Sequence, residues 1–387
     1  MKRAVLTAVA VAATAASLAV PAQAGPGAVR FATFNASLNR GAEGELLADL
    51  STPDDEQARK VAEVVQRNRP DVLLLNEFDH VAGNAAVDAF RRNYLAVGHN
   101  GAEPIDYPYS YTAPVNTGVP SGFDLDNDGR TGGPGDAFGF GQFPGQYGMV
   151  VLSKFPIGEV RAFQDFRWAD MPGALRPDDP ATPEPGDWYA PQEWERLRLS
   201  SKSHWDLSLD VSGRTVHFLT SHPTPPSFDG PEDRNGVRNH DEIRFWADYV
   251  AGADYFYDDT GRTGGLEPGA PFVIAGDQNA DPVDGDTVDR ASTQLLRAPR
   301  VVDPKPGSAG AVEAARTQGG ANADHRSPAY FDTADFTDDS PGNLRVDYLL
   351  PSLPLIPVRS AVFWPTGELA RLNDTSDHHL VWADLLV

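Results

Sequence analysis

The sequence predicts an α/β or α+β sandwich with its chemistry at the ends of strands. Short apolar runs suited to buried strands recur along all 387 residues. Helical stretches lie between them, and several runs end on Asn, Asp, Glu or His. Strand ends are where a rigid scaffold presents reactive groups.

In chain order, the first residues read as a targeting signal. Lys2 and Arg3 open it, an apolar run spans 4–20, and Ala22-Gln23-Ala24 is a small-x-small cleavage site. Cleavage after Ala24 leaves 25–387 as one domain with long loop insertions, and the product is expected outside the cell. Val29 to Asn35 reads as the first strand. Asp54-Asp55-Glu56 is an acidic N-terminal turn for a helix with apolar residues at 58, 61, 62, 64 and 65. Asp71 to Leu75 and Tyr147 to Leu152 are short buried strands. Arg198 to Val211 alternates, and Gly213 turns it into Thr215 to Thr220, a hairpin. Asn239 to Val250 reads as a helix. Phe272 to Ala275, Leu344 to Leu350 and His379 to Val387 complete the strands. Loops rich in Gly, Pro and Asp fill about 98–146, 163–196, 223–236 and 303–343, lengths that mark functional or mobile segments.

Composition narrows the chemistry. There is no cysteine, so disulfides and thiolate metal sites are excluded, and any metal must sit on oxygen or imidazole. Losing Lys2 and Arg3 with the signal takes the net charge from −23 to −25. That field repels polyanions, and no Lys/Arg cluster suited to duplex binding is found. Nucleic acid is therefore a less favoured substrate than a small phosphate ester. No stretch after the signal is suited to crossing a bilayer, and a monomer is expected.

Asn35 ends the first strand and Asn76-Glu77 the second. Strand-end acids are mostly just exposed and strand-end Asn mostly forms turns, so each alone says little. Gly276-Asp277-Gln278-Asn279 follows Phe272 to Ala275 and reads either as an Asx turn or as an acid near a water with an amide holding a phosphate oxygen. His222 ends the Val216 to Ser221 run, before Pro223, where it can bind phosphate or donate a proton. Asp347 lies inside an apolar strand, where an unpaired acid is costly. It pairs with Arg345, or it orients His378 as in an Asp-His dyad. Asp377-His378 is the strongest pair, offering a metal ligand and a proton acceptor. Adjacent strand residues point to opposite faces, so His379 is the alternative to His378.

In this order, Asn35, Asn76-Glu77, Gly148 to Ser153, His222, Gly276 to Asn279, Asp347 and Ser376-Asp377-His378 resemble the motif series of the endonuclease/exonuclease/phosphatase superfamily, the deoxyribonuclease I-like fold. The resemblance spans about 30 to 387. It implies a four-layer sandwich of two mixed β-sheets packed face to face with flanking helices. It also implies a Mg²⁺ or Mn²⁺ site lined by Asn35, Glu77 and Asp377, with Glu77 the main ligand. Asp277 and Asn279 would position the nucleophile and the phosphate. His378, oriented by Asp347, would be general base, and His222 would stabilise or protonate the phosphoryl oxygens. Position 76 departs mildly, being Asn where Gln is common, and leaves the carboxylate intact.

Two features are particular to this chain. Asp124, Asp126 and Asp128 stand at alternate positions before Gly129, as an EF-hand loop begins. The twelfth position is Gly135, not Glu, so the alternatives are a helix-free structural Ca²⁺ loop and an acidic turn. After His222, Arg234 and Arg238 are candidate phosphate contacts or partners of Asp233, Asp241 and Glu242. Three functions compete: a secreted phosphoesterase, a secreted nuclease with the same site, and a non-catalytic binding protein on this fold. A lipid phosphodiesterase is a variant of the first, if Phe138, Phe140, Phe143 and Tyr147 line an apolar approach.

Overall fold

The computed structural model describes residues 27–387, so the expected signal segment and its cleavage site lie outside the described residues. Among the described residues, eleven strands form two sheets. They are β1 (Ala28–Asn35), β2 (Val72–Asn76), β3 (Tyr109–Tyr111), β4 (Met149–Ser153), β5 (Ile157–Ala162), β6 (His204–Val211), β7 (Arg214–Ser221), β8 (Phe272–Asp277), β9 (Asp347–Pro351), β10 (Ile356–Val362) and β11 (Val381–Leu386). The first sheet runs β10-β11-β1-β2-β4-β3 and the second β5-β6-β7-β8-β9. Each has one parallel pair, β1 with β2 and β7 with β8, and antiparallel pairs elsewhere.

The strands' period of two builds the layers. In β2, Val72 and Leu74 join Phe31, Trp205, Phe218, Val273 and Leu349 between the sheets. Leu73 and Leu75 face the other way, onto helix residues Leu46, Leu50, Val61 and Phe90. Both faces of β2 are thus covered, which is why it reads as an unbroken apolar run. The helices beneath this sheet are α1 (Glu45–Leu50), α2 (Glu56–Asn68) and α3 (Ala85–Phe90). Asp55 caps α2 by accepting from the Ala58 N–H at 2.7 Å. Across the second sheet, α5 (Arg234–Val250) lays Ile243, Phe245, Trp246 and Tyr249 on Leu219, Ile274 and Tyr348. Each large side chain so buried contributes about 1.5–3 kcal/mol. The product is the helix–sheet–sheet–helix sandwich expected from sequence.

Differences lie at the margins. β6 begins at His204 rather than near Arg198, and β9 at Asp347 rather than Leu344. Strands β3, β5 and β10 were not expected. Helices α1 and α3, the short α4 (Pro191–Trp194) and α6 (Thr293–Leu296) and the longer α7 (Ala309–Gln318) were not expected either, and α7 lies inside the segment 303–343 read as loop. Ser308 caps α7 through the Gly310 N–H at 3.0 Å.

The topology sets the site. The parallel strands β1, β2, β7 and β8 all end on one side, where the antiparallel β9 and β11 begin. Asn35 is the register partner of Asn76, and Asp277 of Asp347.

Candidate functional site

Side chains from three other strand ends meet around one carboxylate oxygen, Asp277 Oδ2. It accepts from Asn35 Nδ2 at 3.1 Å and lies 3.4 Å from His222 Nε2 and 3.5 Å from His378 Nε2. Asn35 comes from β1, across the gap between the sheets. Asn76 makes a second cross-sheet tie: its Oδ1 accepts from the Asp277 N–H at 3.3 Å. The mild departure at this position is therefore a tether on the site.

Gly276 makes the meeting of Asp277 and His222 possible. Its φ is 147°, and a Cβ there would sit 2.0 Å from the Ser221 carbonyl oxygen. Only glycine lets β8 run this close to β7.

Asp347 is fully buried and its Oδ2 lies 2.8 Å from His378 Nδ1. Arg345, the competing partner, instead forms two bonds with Asp303 at 2.9 and 2.7 Å. His379 turns away from the site and stacks on Trp364, ring centroids 3.8 Å apart. Of the two adjacent histidines, His378 is the one in the cluster. Asp277, Asp347 and His378 bring ligand-type atoms within 4.8 Å of one another.

Glu77 sits at φ 59°, a left-handed conformation uncommon for a non-glycine residue and typical of functional sites. Its carboxylate accepts from Asn35 Nδ2 at 3.0 Å and Asn39 Nδ2 at 2.9 Å. Asn279 also has positive φ, at 52°. Its N–H donates to Asp277 Oδ1 at 2.8 Å, and its amide donates to the Pro223 carbonyl at 3.1 Å. Asp377 is exposed at the rim, 3.4 Å from Ser37 Oγ, and the Ser37 N–H bonds Asn35 Oδ1 at 3.2 Å.

The electrostatics follow from burying like charges together. Burial pushes Asp277 up to about 7, with Asp347 adding to the rise against the opposing pull of His378 and Asn35. Burial opposes charge on His378, but Asp347 and Asp277 outweigh it and hold the imidazole well above its usual range. His222 goes the other way: burial, then Lys202 and His378, keep it well below the usual range and neutral. The crowded acids and the imidazole of Asp277, Asp347 and His378 are compatible with a divalent cation.

The remaining candidates are placed as follows. Arg238 spends its guanidinium on the backbone carbonyls of Leu199, Phe138 and Arg198 at 2.9, 2.5 and 3.0 Å. Arg234 pairs with Glu232 and lies over Trp188. Both hold loops together and neither reaches the Asp277 group. The Asp124, Asp126 and Asp128 carboxylates do converge within 4.8 Å. They also accept backbone N–H groups of their own turn, Asp124 from Gly129 at 2.9 Å and Asp128 from Arg130 at 2.8 Å. Asp136 is buried and accepts from Leu125 and Gly133, closing the loop. Of the aromatic quartet only Phe140 projects, at 59 % exposure, while Phe138 lies under the Arg198 guanidinium.

Sequence reasoning missed three neighbours. Asn39, four residues beyond Asn35, holds Glu77. Glu242 on α5 is buried and accepts from Ser201 N, Ser201 Oγ and Thr224 N at 2.6, 3.0 and 2.7 Å. Lys202, set among Ser200, Ser201 and Ser203 just before β6, is buried. The signal for Lys202 was a lysine in a short run of serines at a strand entry.

A family model described as "Endonuclease/Exonuclease/phosphatase family" matches residues 32–378. Comparison with curated proteins returns no match. Among solved structures, an endonuclease/exonuclease/phosphatase from Beutenbergia cavernae DSM 12333 is similar at 18% identity. It covers 92% of this chain and 71% of its own, with a TM-score of 0.50. Sphingomyelinase C from Streptomyces griseocarneus is similar at 16% identity, covering 92% and 99%, with a TM-score of 0.46. Truncated Caenorhabditis elegans TDP2 is similar at 16% identity, covering 93% and 98%, with a TM-score of 0.46.

Proposed function

The chain belongs to the endonuclease/exonuclease/phosphatase family, and on that premise we propose that it is a phosphoesterase hydrolysing mono- or diesters with a divalent metal. Family members are hydrolases of phosphate esters that use a divalent metal, and the buried Asp277–Asp347–His378 group is compatible with one. The observation that carries the reading is the convergence of Asn35, His222 and His378 on Asp277 Oδ2. One acid that faces an amide and two imidazoles is built to order a water and a phosphoryl group together.

Glu77, Asn35 and Asp377 would hold Mg²⁺ or Mn²⁺, which when bound supplies Lewis acidity to a phosphoryl oxygen. Asp277 orients the attacking water. His378, in its deprotonated form, takes the water's proton at Nε2, and the Asp347 carboxylate fixes the ring through Nδ1 and stabilises the imidazolium that forms. The water oxygen bonds to phosphorus as the ester oxygen leaves. His222, kept neutral, donates an N–H bond to a non-bridging oxygen rather than a full proton. Asn279 offers the amide hydrogen not used by Pro223 to the same group. The protein acts as a monomer of one domain over 25–387, exported by the signal at 1–24. The high negative charge favours small esters over polynucleotides.

The test is turnover of p-nitrophenyl phosphate, bis-p-nitrophenyl phosphate and plasmid DNA with Mg²⁺, Mn²⁺, Ca²⁺ or EDTA, with His378→Ala as control. Ester release that EDTA and the variant both abolish, without nicking, is the expected result. Nicking with the same dependence would make the protein a nuclease, and no turnover in any arm would leave the non-catalytic reading. Among the described residues no helix is long and apolar enough to cross a membrane.

A further inference from the structure

The register of β7 with β8 stops at Thr220 opposite Ala275, so His222 and Asp277 both lie past the last rung of the ladder. The sheet alone therefore does not fix their 3.4 Å approach. Helix α5 holds it from outside. Asn239 is fully buried, and its Nδ2 donates to the Thr224 carbonyl at 2.8 Å and to the Gln278 carbonyl at 2.9 Å. Thr224 comes two residues after His222, and Gln278 one after Asp277. One amide thus ties together the two segments that carry the pair.

One turn further along α5, Glu242 grips the same threonine by its other end. Its Oε2 accepts from the Thr224 N–H at 2.7 Å, while Oε1 accepts from Ser201 N and Oγ at 2.6 and 3.0 Å. A turn later Trp246 donates Nε1 to Ser221 Oγ at 3.0 Å, an oxygen that also accepts from Gln278 Nε2 at 3.2 Å. Residues 239, 242 and 246 have the i, i+3, i+7 spacing of one helix face. All three are buried, and Trp246 belongs to the core of Leu219 and Ile274. Polar groups on such a face are costly unless bonded. Asn239 Oδ1, buried and without a partner among the described residues, carries part of that cost. Stability alone does not call for an asparagine and a glutamate here, since apolar side chains would fill the same space. What their bonds add is a single geometry, where apolar packing tolerates several.

We propose that Asn239 and Glu242 are positioning residues that set the gap between His222 and Asp277 in which the phosphoryl group is bound. This rests on the phosphoesterase reading. They act through His222, whose N–H meets a non-bridging oxygen only while Thr224 and Gln278 are held together. That contact matters most in the transition state, so its loss lowers kcat and leaves KM nearly unchanged.

The experiment uses the mature chain with saturating Mg²⁺ and either p-nitrophenyl phosphate or bis-p-nitrophenyl phosphate, whichever wild type turns over faster. Kinetics, thermal melting and imidazole NMR signals are recorded for wild type, Asn239→Leu, His222→Ala and the double variant, well below melting. Asn239→Leu should lower kcat about 30-fold with KM within about twofold, because a displacement near 1 Å costs on the order of 10²-fold. It should shift the ring signals of His222 and leave in place those of His217, which is bonded to Asp206 earlier on β7. In the His222→Ala background the same substitution should cost less than about threefold, because nothing remains for Asn239 to position. Glu242→Gln turns an NH₂ toward the Thr224 N–H; it should lower kcat about tenfold and gives the answer where Asn239→Leu does not fold. An equal loss in both backgrounds would make Asn239 a structural residue and overturn the proposal. So would unmoved His222 signals, or a kcat within about threefold of wild type. A wild type that hydrolyses neither ester would sink the phosphoesterase reading, and the His222 signals would then decide the clamp by themselves.

Discussion

Replacing Asp347 with Asn removes one charge from the His378 dyad while keeping its shape. The carboxylate oxygen lies 2.8 Å from His378 Nδ1, and the other oxygen, Oδ1, has no partner. An Asn side chain can therefore keep its carbonyl toward the imidazole and put its NH₂ in the vacant direction. At 2.8 Å and an effective dielectric near 20, the lost attraction is about 6 kcal/mol. That is an upper value, because burial of His378 already opposes its charge. The imidazole should fall from its raised position toward its usual range. Its ability to accept a proton falls with it, and kcat should drop on the order of 10³-fold, about 4 kcal/mol. The sign in pH also follows. A base works deprotonated, so the rate climbs as pH rises through its pKa, and lowering that pKa moves the acidic limb to lower pH. The assay is the pH profile of kcat/KM on p-nitrophenyl phosphate, together with NMR titration of His378. A plateau rate within threefold of wild type, or an unmoved His378 titration, would refute the dyad. Thermal melting guards against misfolding, since an unsatisfied buried amide costs about 1–3 kcal/mol.

Further expectations concern metal, acid and core. Mg²⁺ at a hundred times its Kd should stabilise wild type by about 2.7 kcal/mol, and Glu77→Gln should lose most of that; an equal melting shift in both would remove Glu77 from the metal site. Burial pushes His204 down to about 3, and burial followed by His378 does the same to His379. Below about pH 6.5 the unfolded chain binds protons these rings refuse, so stability falls toward pH 3 by about 1.4 kcal/mol per pH unit for each ring. His204→Gln should flatten acid unfolding by about one such slope, and an unchanged slope would show that burial does not hold this ring neutral. Arg30 and Asp384 form a fully buried pair with bonds at 2.7 and 2.9 Å. Arg30→Met should cost about 3–5 kcal/mol in denaturant melts, and an effect under 1 kcal/mol would mean that the stranded Asp384 finds another partner.

The central strands could be read because both their faces are buried. Val72 to Leu75 must be apolar throughout, and Asp206 to Val211 alternates because its partner faces differ. The edge strands β3, β5 and β10 escaped notice because edges carry mixed residues. Ile157–Ala162 is half exposed, and Ile356–Val362 contains Pro357 and Arg359. The order of candidate residues from Asn35 to His378 was also visible, since each sits where an apolar run stops. Their pairing was not. Asp347 had Arg345 two residues away, and His378 had His379 beside it. Only the register of β8 with β9 put Asp347 opposite Asp277 and within reach of His378. Arg234 and Arg238 read in sequence as phosphate contacts or as partners of Asp233, Asp241 and Glu242; the backbone carbonyls and the Glu232 that hold them are brought there by folded loops.

Sequence by itself determined the layers and the identities of the chemical groups, because hydrophobic period and strand-end polarity are local properties of the chain. Tertiary structure alone decided which acid pairs with which imidazole and which buried groups crowd together around Asp277. Those outcomes depend on distances between residues as many as 341 positions apart, as between Asn35 and Ser376, and Coulomb and hydrogen-bond energies depend on such distances rather than on order along the chain.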